Sequence, residues 1–227
     1  MQTKDRNHSD GPEPIPPEEA LGRLAEGNAR YLEHNAENPP DYERERRELV
    51  DGQHPYALIL SCSDSRVPPE IVFDETLGKV FVSRVAGNVA EATELGSIEY
   101  AVGHRYSRLL FVMAHQSCGA VIATMDAVRT GEYPSSPNLG ALVAAIEPSL
   151  DRNRLNTRNP QDIAINVDRN LQAQMTNVVN NSEFLKGKVL TGELEIYGAI
   201  YSLESGAAPP IYFYDRIDER VKPYHPA

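Results

Sequence analysis

The chain is short of positive charge, of cysteine and of tryptophan. Its 227 residues carry 22 Lys and Arg against 33 Asp and Glu, a formal net charge of -11, with two cysteines and no tryptophan. An acidic surplus leaves no basic surface for phosphate groups, so we expect neither nucleic acid nor an anionic membrane as a partner. Two cysteines cannot build a disulfide framework, and a chain of this length forms a stable core without one.

Long apolar runs are also missing. No segment reaches the roughly 18 apolar residues of a membrane helix. The segment from Met1 to Ile15 is polar and acidic and lacks the apolar centre of a signal peptide. We therefore expect a cytoplasmic protein, with a disordered or extended leader over residues 1–17 and a single domain over 18–227. In a reducing compartment two cysteines are more often metal ligands, catalytic groups or buried thiols than a disulfide.

Short apolar runs alternate with helical patterns along residues 18–227. Apolar residues at spacings of three and four predict an N-terminal amphipathic helix ending at Leu32, and a short charged helix follows over 42–49. Strands are predicted at 56–60, 79–85, 109–114, 189–202 and 211–214, and further helices at 91–102, 118–128, 139–146 and 161–180. Strand, helix and strand in this order are typical of a parallel sheet. We predict an α/β fold with a central, mainly parallel β-sheet flanked by helices and an N-terminal helical arm.

Polar loops follow two of these strands directly. One begins at Cys62 and contains Asp64 and Arg66, and the other runs from His115 to Cys118. In a parallel sheet both loops lie at the same edge, where α/β proteins bind ligands. Two thiolates and an imidazole are ligands that zinc prefers, and three protein ligands leave a fourth position open for water. Buried, inert thiols are the alternative, but the position of both cysteines in polar loops favours a site.

These loops carry a resemblance to a known family. Cys-Ser-Asp-Ser-Arg-Val at 62–67 and His-x-x-Cys-Gly-Ala at 115–120 resemble the paired zinc motifs of the β-class carbonic anhydrases. Shorter matches at 24–31, 84–88 and 197–199 extend the resemblance over most of the chain. In that family zinc (Zn2+) is held by the positions that match Cys62, His115 and Cys118, with either a water or the carboxylate matching Asp64 as the fourth ligand.

The resemblance implies reversible hydration of carbon dioxide to bicarbonate and a proton, by attack of a zinc-bound hydroxide. Asp64 and Arg66 would form the catalytic pair. An Asp64 held by Arg66 would accept a hydrogen bond from the hydroxide, whereas an Asp64 on the metal would close the open position. Competition between Arg66 and zinc for one carboxylate is therefore a candidate switch that responds to pH.

The family also suggests a substrate pocket. Gln53 resembles the amide that binds bicarbonate, Phe81 and Tyr100 match aromatic pocket residues, and the backbone N–H of Gly119 resembles a second donor. In the family the first three positions face the zinc of the neighbouring subunit. The resemblance thus implies an obligate homodimer, or a homotetramer of paired dimers.

Some positions depart from the family pattern. Ile59 stands where members with an inhibitory bicarbonate site carry tryptophan, although Arg84 and Tyr201 resemble other residues of that site. We therefore expect no inhibitory site. Two alternative functions stay open at this stage: hydrolysis of CS2 or COS by a related zinc enzyme, and a non-catalytic zinc or thiol protein that interacts with partners.

Overall fold

The computed structural model describes residues 13–35 and 41–226. In these residues the helices are α1 (Pro17–Leu32), α2 (Tyr42–Glu48), α3 (Pro69–Val72), α4 (Ala92–Gly103), α5 (Gly119–Thr130), α6 (Pro137–Ile146), α7 (Pro160–Asn180) and α8 (Glu183–Leu190). The strands are β1 (Ala57–Ser61), β2 (Val80–Arg84), β3 (Leu109–His115), β4 (Glu195–Tyr201), β5 (Pro210–Asp215) and β6 (Arg220–Pro223). Short 3-10 turns lie at Ala86–Asn88 and Glu147–Ser149.

The strands form one sheet in the order β2-β1-β3-β4-β5-β6. β2, β1, β3 and β4 run parallel, whereas β5 and β6 continue the sheet antiparallel to their neighbours. Helices connect the parallel strands, as crossovers between parallel strands require. The predicted fold class, a mainly parallel sheet flanked by helices with an N-terminal helix, is confirmed.

The two central strands end at the same edge of the sheet. β1 and β3 are buried along their whole length, which explains their uninterrupted apolar sequences, since a strand covered on both faces needs no polar side. Ser61 pairs with Arg84 of β2 and with Met113 of β3. The loops that follow β1, β2 and β3 therefore meet.

The second half of the chain corrects one predicted boundary. The prediction placed strand structure from Val189 onward, but Val189 lies in α8 and β4 begins at Glu195. The hydroxyl of Ser182 accepts a hydrogen bond from the Leu185 backbone N–H and caps α8. Gly192, with φ of +76°, lies in the turn that leads to β4. β6 was not predicted, because its four residues are mostly polar or half-buried.

The predicted leader lies mainly outside the described residues, since these begin at residue 13 and α1 begins at Pro17. Within the described ranges, one continuous apolar core includes residues from α1, the sheet and α7. No helix in this part of the chain is long and apolar enough to cross a membrane.

Candidate active site

Three potential metal ligands meet where β1 and β3 end. Cys62 follows the last residue of β1, His115 is the last residue of β3, and Cys118 precedes α5 as its N-cap. All three side chains are buried, and their ligand atoms lie within 4.8 Å of one another. The two sulfur atoms are 4.0 Å apart. Residues up to 56 positions apart in sequence thus form one compact donor set.

The geometry of this set fits zinc. Tetrahedral zinc with Zn–S bonds of about 2.3 Å separates two sulfur ligands by roughly 3.8 Å, close to the observed 4.0 Å. The Nδ1 of His115 lies 2.9 Å from the Gln116 carbonyl and donates to it in the matching tautomer. Its Nε2 is then left as an acceptor, and this buried atom has no hydrogen-bond partner among the described residues. A buried, unpaired acceptor beside two thiols is what a metal ligand requires.

The environment of the two thiols favours negative charge on Cys62. The Cys118 thiol donates to the Cys62 sulfur, and this hydrogen bond holds the pKa of Cys62 well below its usual range. The same interaction, together with burial, raises the pKa of Cys118. A second donor, the backbone N–H of Gly87, lies 3.4 Å from the Cys62 Sγ. Without a metal the pair therefore keeps one proton between two sulfurs.

Arg66 holds the carboxylate of Asp64 beside the donor set. Its Nε donates to Oδ1 at 2.9 Å, a terminal guanidinium nitrogen donates to Oδ2 at 2.7 Å, and its backbone N–H donates to Oδ1 at 3.0 Å. This hydrogen bonding lowers the pKa of Asp64 well below its usual range, so the carboxylate is ionised. Asp64 Oδ2 lies 3.9 Å from the Nε2 of His115. The described structure thus has Asp64 engaged by Arg66, next to the three ligands.

Gly119, the fourth predicted substrate contact, begins α5 directly after Cys118. It is exposed, and a Cβ added there would meet no atom within 4 Å. The space beside its backbone is therefore open to a small molecule.

Gln53, Phe81 and Tyr100 form a separate group in the single chain. The rings of Phe81 and Tyr100 are 6.4 Å apart, and both lie near Tyr106. Burial raises the pKa of Tyr106, and a hydrogen bond with Gln53 acts in the opposite direction. Phe81 pairs with Leu58 early in β1, four residues before Cys62, so it lies roughly 13 Å along the strand from the cysteine. The structure brings these three residues together but not to the cysteines of their own chain.

Two contributors to the site were not assigned by sequence reasoning. Arg84 donates to the backbone carbonyls of Cys62 at 3.0 Å and of Asp64 at 2.6 Å, and so fixes the loop that carries both. The other is the Gly87 N–H described above, which the Ala-Gly-Asn sequence after β2 could have indicated. Tyr201, like Arg84, resembles a residue of the family's inhibitory bicarbonate site. Its hydroxyl shares a 3.2 Å hydrogen bond with the hydroxyl of Tyr31.

Comparisons with known proteins agree on one family. A family model described as "Carbonic anhydrase" matches residues 57–208. Carbonic anhydrase 2 of Mycobacterium tuberculosis is 35% identical over 196 residues, which cover 85% of this chain and 91% of that protein. The β-carbonic anhydrase CcaA superposes with a TM-score of 0.66 at 25% identity, covering 92% of this chain and 93% of its own. Tetrameric β-carbonic anhydrases of Sordaria macrospora share the fold, with a TM-score of 0.62 at 19% identity over 85% of this chain and 97% of theirs.

The chain belongs to the carbonic anhydrase family, in its β class. Reversible hydration of carbon dioxide to bicarbonate, a lyase reaction, is the function that this membership gives it. Because the chain belongs to this family of enzymes, the alternative of a non-catalytic zinc or thiol protein is not supported.

Proposed function

We propose that this chain hydrates carbon dioxide at a zinc site formed by Cys62, His115 and Cys118, with Asp64 and Arg66 as the catalytic pair. The observation that carries the proposal is the compact, buried donor set, whose histidine nitrogen has no other partner within the described residues. Bound zinc would lower the pKa of a water ligand and so supply a nucleophile near neutral pH. The protein's own groups would orient this nucleophile and bind the substrate.

Asp64 orients the attacking water. Its carboxylate stays ionised because Arg66 occupies both oxygens with donors, so it acts as an acceptor rather than as an acid. Since Oδ2 lies 3.9 Å from the Nε2 of His115, a water held at the three ligands would donate a hydrogen bond to Oδ2 and keep a lone pair for carbon dioxide, and the proton released with bicarbonate would pass to solvent. The backbone N–H of Gly119 lies next to open space and is our candidate donor to a substrate oxygen.

We infer that Gln53, Phe81 and Tyr100 act on the site of a partner subunit. Their group lies away from the cysteines of their own chain, and Tyr100 leaves 47% of its surface exposed, which a partner subunit would cover. A homodimer that places this group opposite the ligands would complete two pockets by symmetry. The Sordaria macrospora proteins are tetrameric, so we further propose that two such dimers pair. The mass of the protein in solution distinguishes a dimer from a tetramer.

Co-expression of two defective chains tests the shared pocket. A chain with Asp64→Ala and a chain with Gln53→Ala would form hybrid dimers in which one pocket is intact, so we expect about a quarter of the wild-type turnover per site. The matched control pairs Asp64→Ala with Arg66→Ala, which lie in the same pocket and cannot complement each other. Recovery no greater than in this control would refute the shared pocket.

Zinc content tests the ligand assignment. We expect one zinc per purified chain by elemental analysis, and loss of that zinc in the variant Cys118→Ser, because a neutral hydroxyl replaces a thiolate. Full zinc content in this variant would contradict the assignment. Hydrolysis of COS, measured as sulfide release by the same samples, separates the related activity from hydration of carbon dioxide.

We also propose a cytoplasmic location. Both thiols are assigned to one metal and must stay reduced, as they do in that compartment. Cell fractionation with an antibody against the chain tests it, and recovery in an extracytoplasmic fraction would contradict it.

A further inference from the structure

Helix α7 turns a column of buried polar side chains toward the interior. Asp162, Asn166, Asn170 and Gln174 follow one another at intervals of four residues, which places them on one face of the helix. Asn166, Asn170 and Gln174 are each at most 1% exposed. Buried amides must find hydrogen-bond partners, and those of Asn170 lead to the metal site.

The side chain of Asn170 is fixed in one orientation. Its Nδ2 donates to the carbonyl oxygen of Gly87 at 2.9 Å, while its Oδ1 accepts from the Nε2 of Gln174 at 3.0 Å. Gln174 is held in turn, because its Oε1 accepts from the backbone N–H of Ala90 at 2.9 Å. Since Oδ1 already accepts a hydrogen bond from Gln174, the amide nitrogen of Asn170 must face Gly87.

Gly87 itself has little freedom to move. Its φ of +72° lies in the left-handed region, and a Cβ at this position would come within 2.6 Å of the Ile146 side chain. With its carbonyl held by Asn170, its N–H points at the Cys62 Sγ, 3.4 Å away. The buried amide of Asn170 on α7 thus holds Gly87, the residue whose N–H donates to the sulfur of Cys62.

We propose that Asn170 is a positioning residue for the metal site, acting through the Gly87 N–H on the charge and direction of the Cys62 thiolate. A hydrogen bond to a ligand sulfur draws electron density from it and holds its lone pairs in place, and partners of this kind tune metal affinity. The inference rests on the proposed zinc site. It adds a residue that touches neither metal nor substrate and lies 52 positions after Cys118, the proposed ligand nearest to it in sequence.

The test compares Asn170→Leu with Asn166→Leu. Asn166 is a matched control, because it is buried on the same face of α7, but it bonds to the backbone of Arg154, Asp162 and Asp151 instead of to Gly87. Zinc affinity is measured by competition with a chelator, and the thiolate-to-metal charge-transfer band is recorded on cobalt-substituted protein. For Asn170→Leu we expect zinc binding about 10- to 100-fold weaker than in the wild type and a displaced charge-transfer band. Asn166→Leu should keep both.

A folded Asn170→Leu protein with the zinc affinity and charge-transfer band of Asn166→Leu would overturn the proposal. If the leucine variants do not fold, Asn170→Ser against Asn166→Ser is compared in the same two measurements, with the same expected and contradicting results. The wild-type titration separates the two levels of inference. A wild type that binds no zinc refutes the zinc site itself, whereas a wild type that binds zinc, with equal variants, refutes only the role of Asn170.

Discussion

At the scale of single residues, the Asp64–Arg66 pair shows how the same interaction differs with its surroundings. Another close Asp–Arg pair among the described residues joins Asp126 and Arg129 at 2.6 Å. Both partners of that pair are about half exposed, and such pairs contribute little. Asp64 is better covered, receives three hydrogen bonds from one residue, and lies 3.9 Å from a buried histidine nitrogen. We therefore propose that its carboxylate has a chemical role.

Substitution of these two aspartates separates the roles. We expect Asp64→Asn to lower kcat for hydration of carbon dioxide by about 10²-fold or more, because an amide can donate to the attacking water and no longer orients it as a pure acceptor. Zinc content and folding should stay unchanged. Asp126→Asn, the control, should stay within about twofold of the wild type. Stopped-flow kinetics measure both, and equal rates in the two variants would exclude a catalytic Asp64.

The sequence predicted the ligand candidates because the chemistry lies in short motifs directly after apolar strands. Cys62, His115 and Cys118 are brought together as the pattern suggested. The contributions of Arg84 and Asn170 could not be predicted, because contacts with backbone carbonyls and a buried amide follow no motif, whereas the Ala-Gly-Asn sequence was the one signal for Gly87. Such contacts depend on tertiary packing rather than on spacing.

At the scale of elements, α1 shows how closely the helical arm packs on the domain. Asn28 donates to the carbonyls of Val72 and Gly206 at 3.0 Å each and accepts from the N–H of Ala208. One turn of the helix is thereby tied to the end of α3 and to the loop before β5. At Gly27 the helix comes so close that an added Cβ would lie 1.9 Å from the Phe73 carbonyl oxygen.

This close approach predicts opposite effects for two glycines of α1. Gly27→Ala should lower the free energy of unfolding by about 1–3 kcal/mol or more, because the backbone of Phe73 cannot yield cheaply. Gly22→Ala meets no atom within 4 Å and should raise the free energy of unfolding by about 0.5–1 kcal/mol through helix propensity. Denaturant titration measures both. Equal changes in the two variants would show that α1 is not packed this closely.

Elements with strong periodicity or uninterrupted apolar runs were predicted well, including α1, β1, β3 and α7. α8 was missed because it is only eight residues long and its last residues, Val189 and Leu190, resemble the start of a strand. α8 begins at the Ser182 cap and ends before the turn at Gly192. In the sequence these two signals are weaker than the apolar pattern that indicates a strand. β6, at the antiparallel end of the sheet, is short and only partly buried. It forms a strand because it pairs with β5, and its own sequence has no pattern that predicts one.

At the scale of the whole molecule, we propose that the single domain over residues 18–227 is half of the functional unit. In the aromatic group Tyr100 is 47% exposed, Phe81 is half-buried and Tyr106 is buried, and the group lies away from the ligands of its own chain. An exposed aromatic group beside a half-buried amide is typical of an interface rather than of a free surface. The charge of -11 favours solubility and carries no information about this contact.

A charge within the aromatic group should break the dimer. We expect Tyr100→Glu to shift the mass in solution toward the 25.1 kDa of one chain and to lower turnover with it, because a desolvated carboxylate without a partner is unfavourable at an interface. Leu139→Glu, at a residue 55% exposed on α6, is the control and should keep the mass of the wild type. Light scattering after size-exclusion chromatography measures both. A Tyr100→Glu protein as large as the control would count against an interface at this surface.

We propose above all that zinc held by Cys62, His115 and Cys118 is required for the hydration of carbon dioxide. Stopped-flow hydration on samples of graded zinc content, prepared by chelation and by re-addition of zinc, tests it most directly. We expect turnover proportional to zinc up to one ion per chain, with no activity in the metal-free protein and recovery on re-addition. An oligomer with one zinc per chain but no hydration activity, even at alkaline pH, would contradict it.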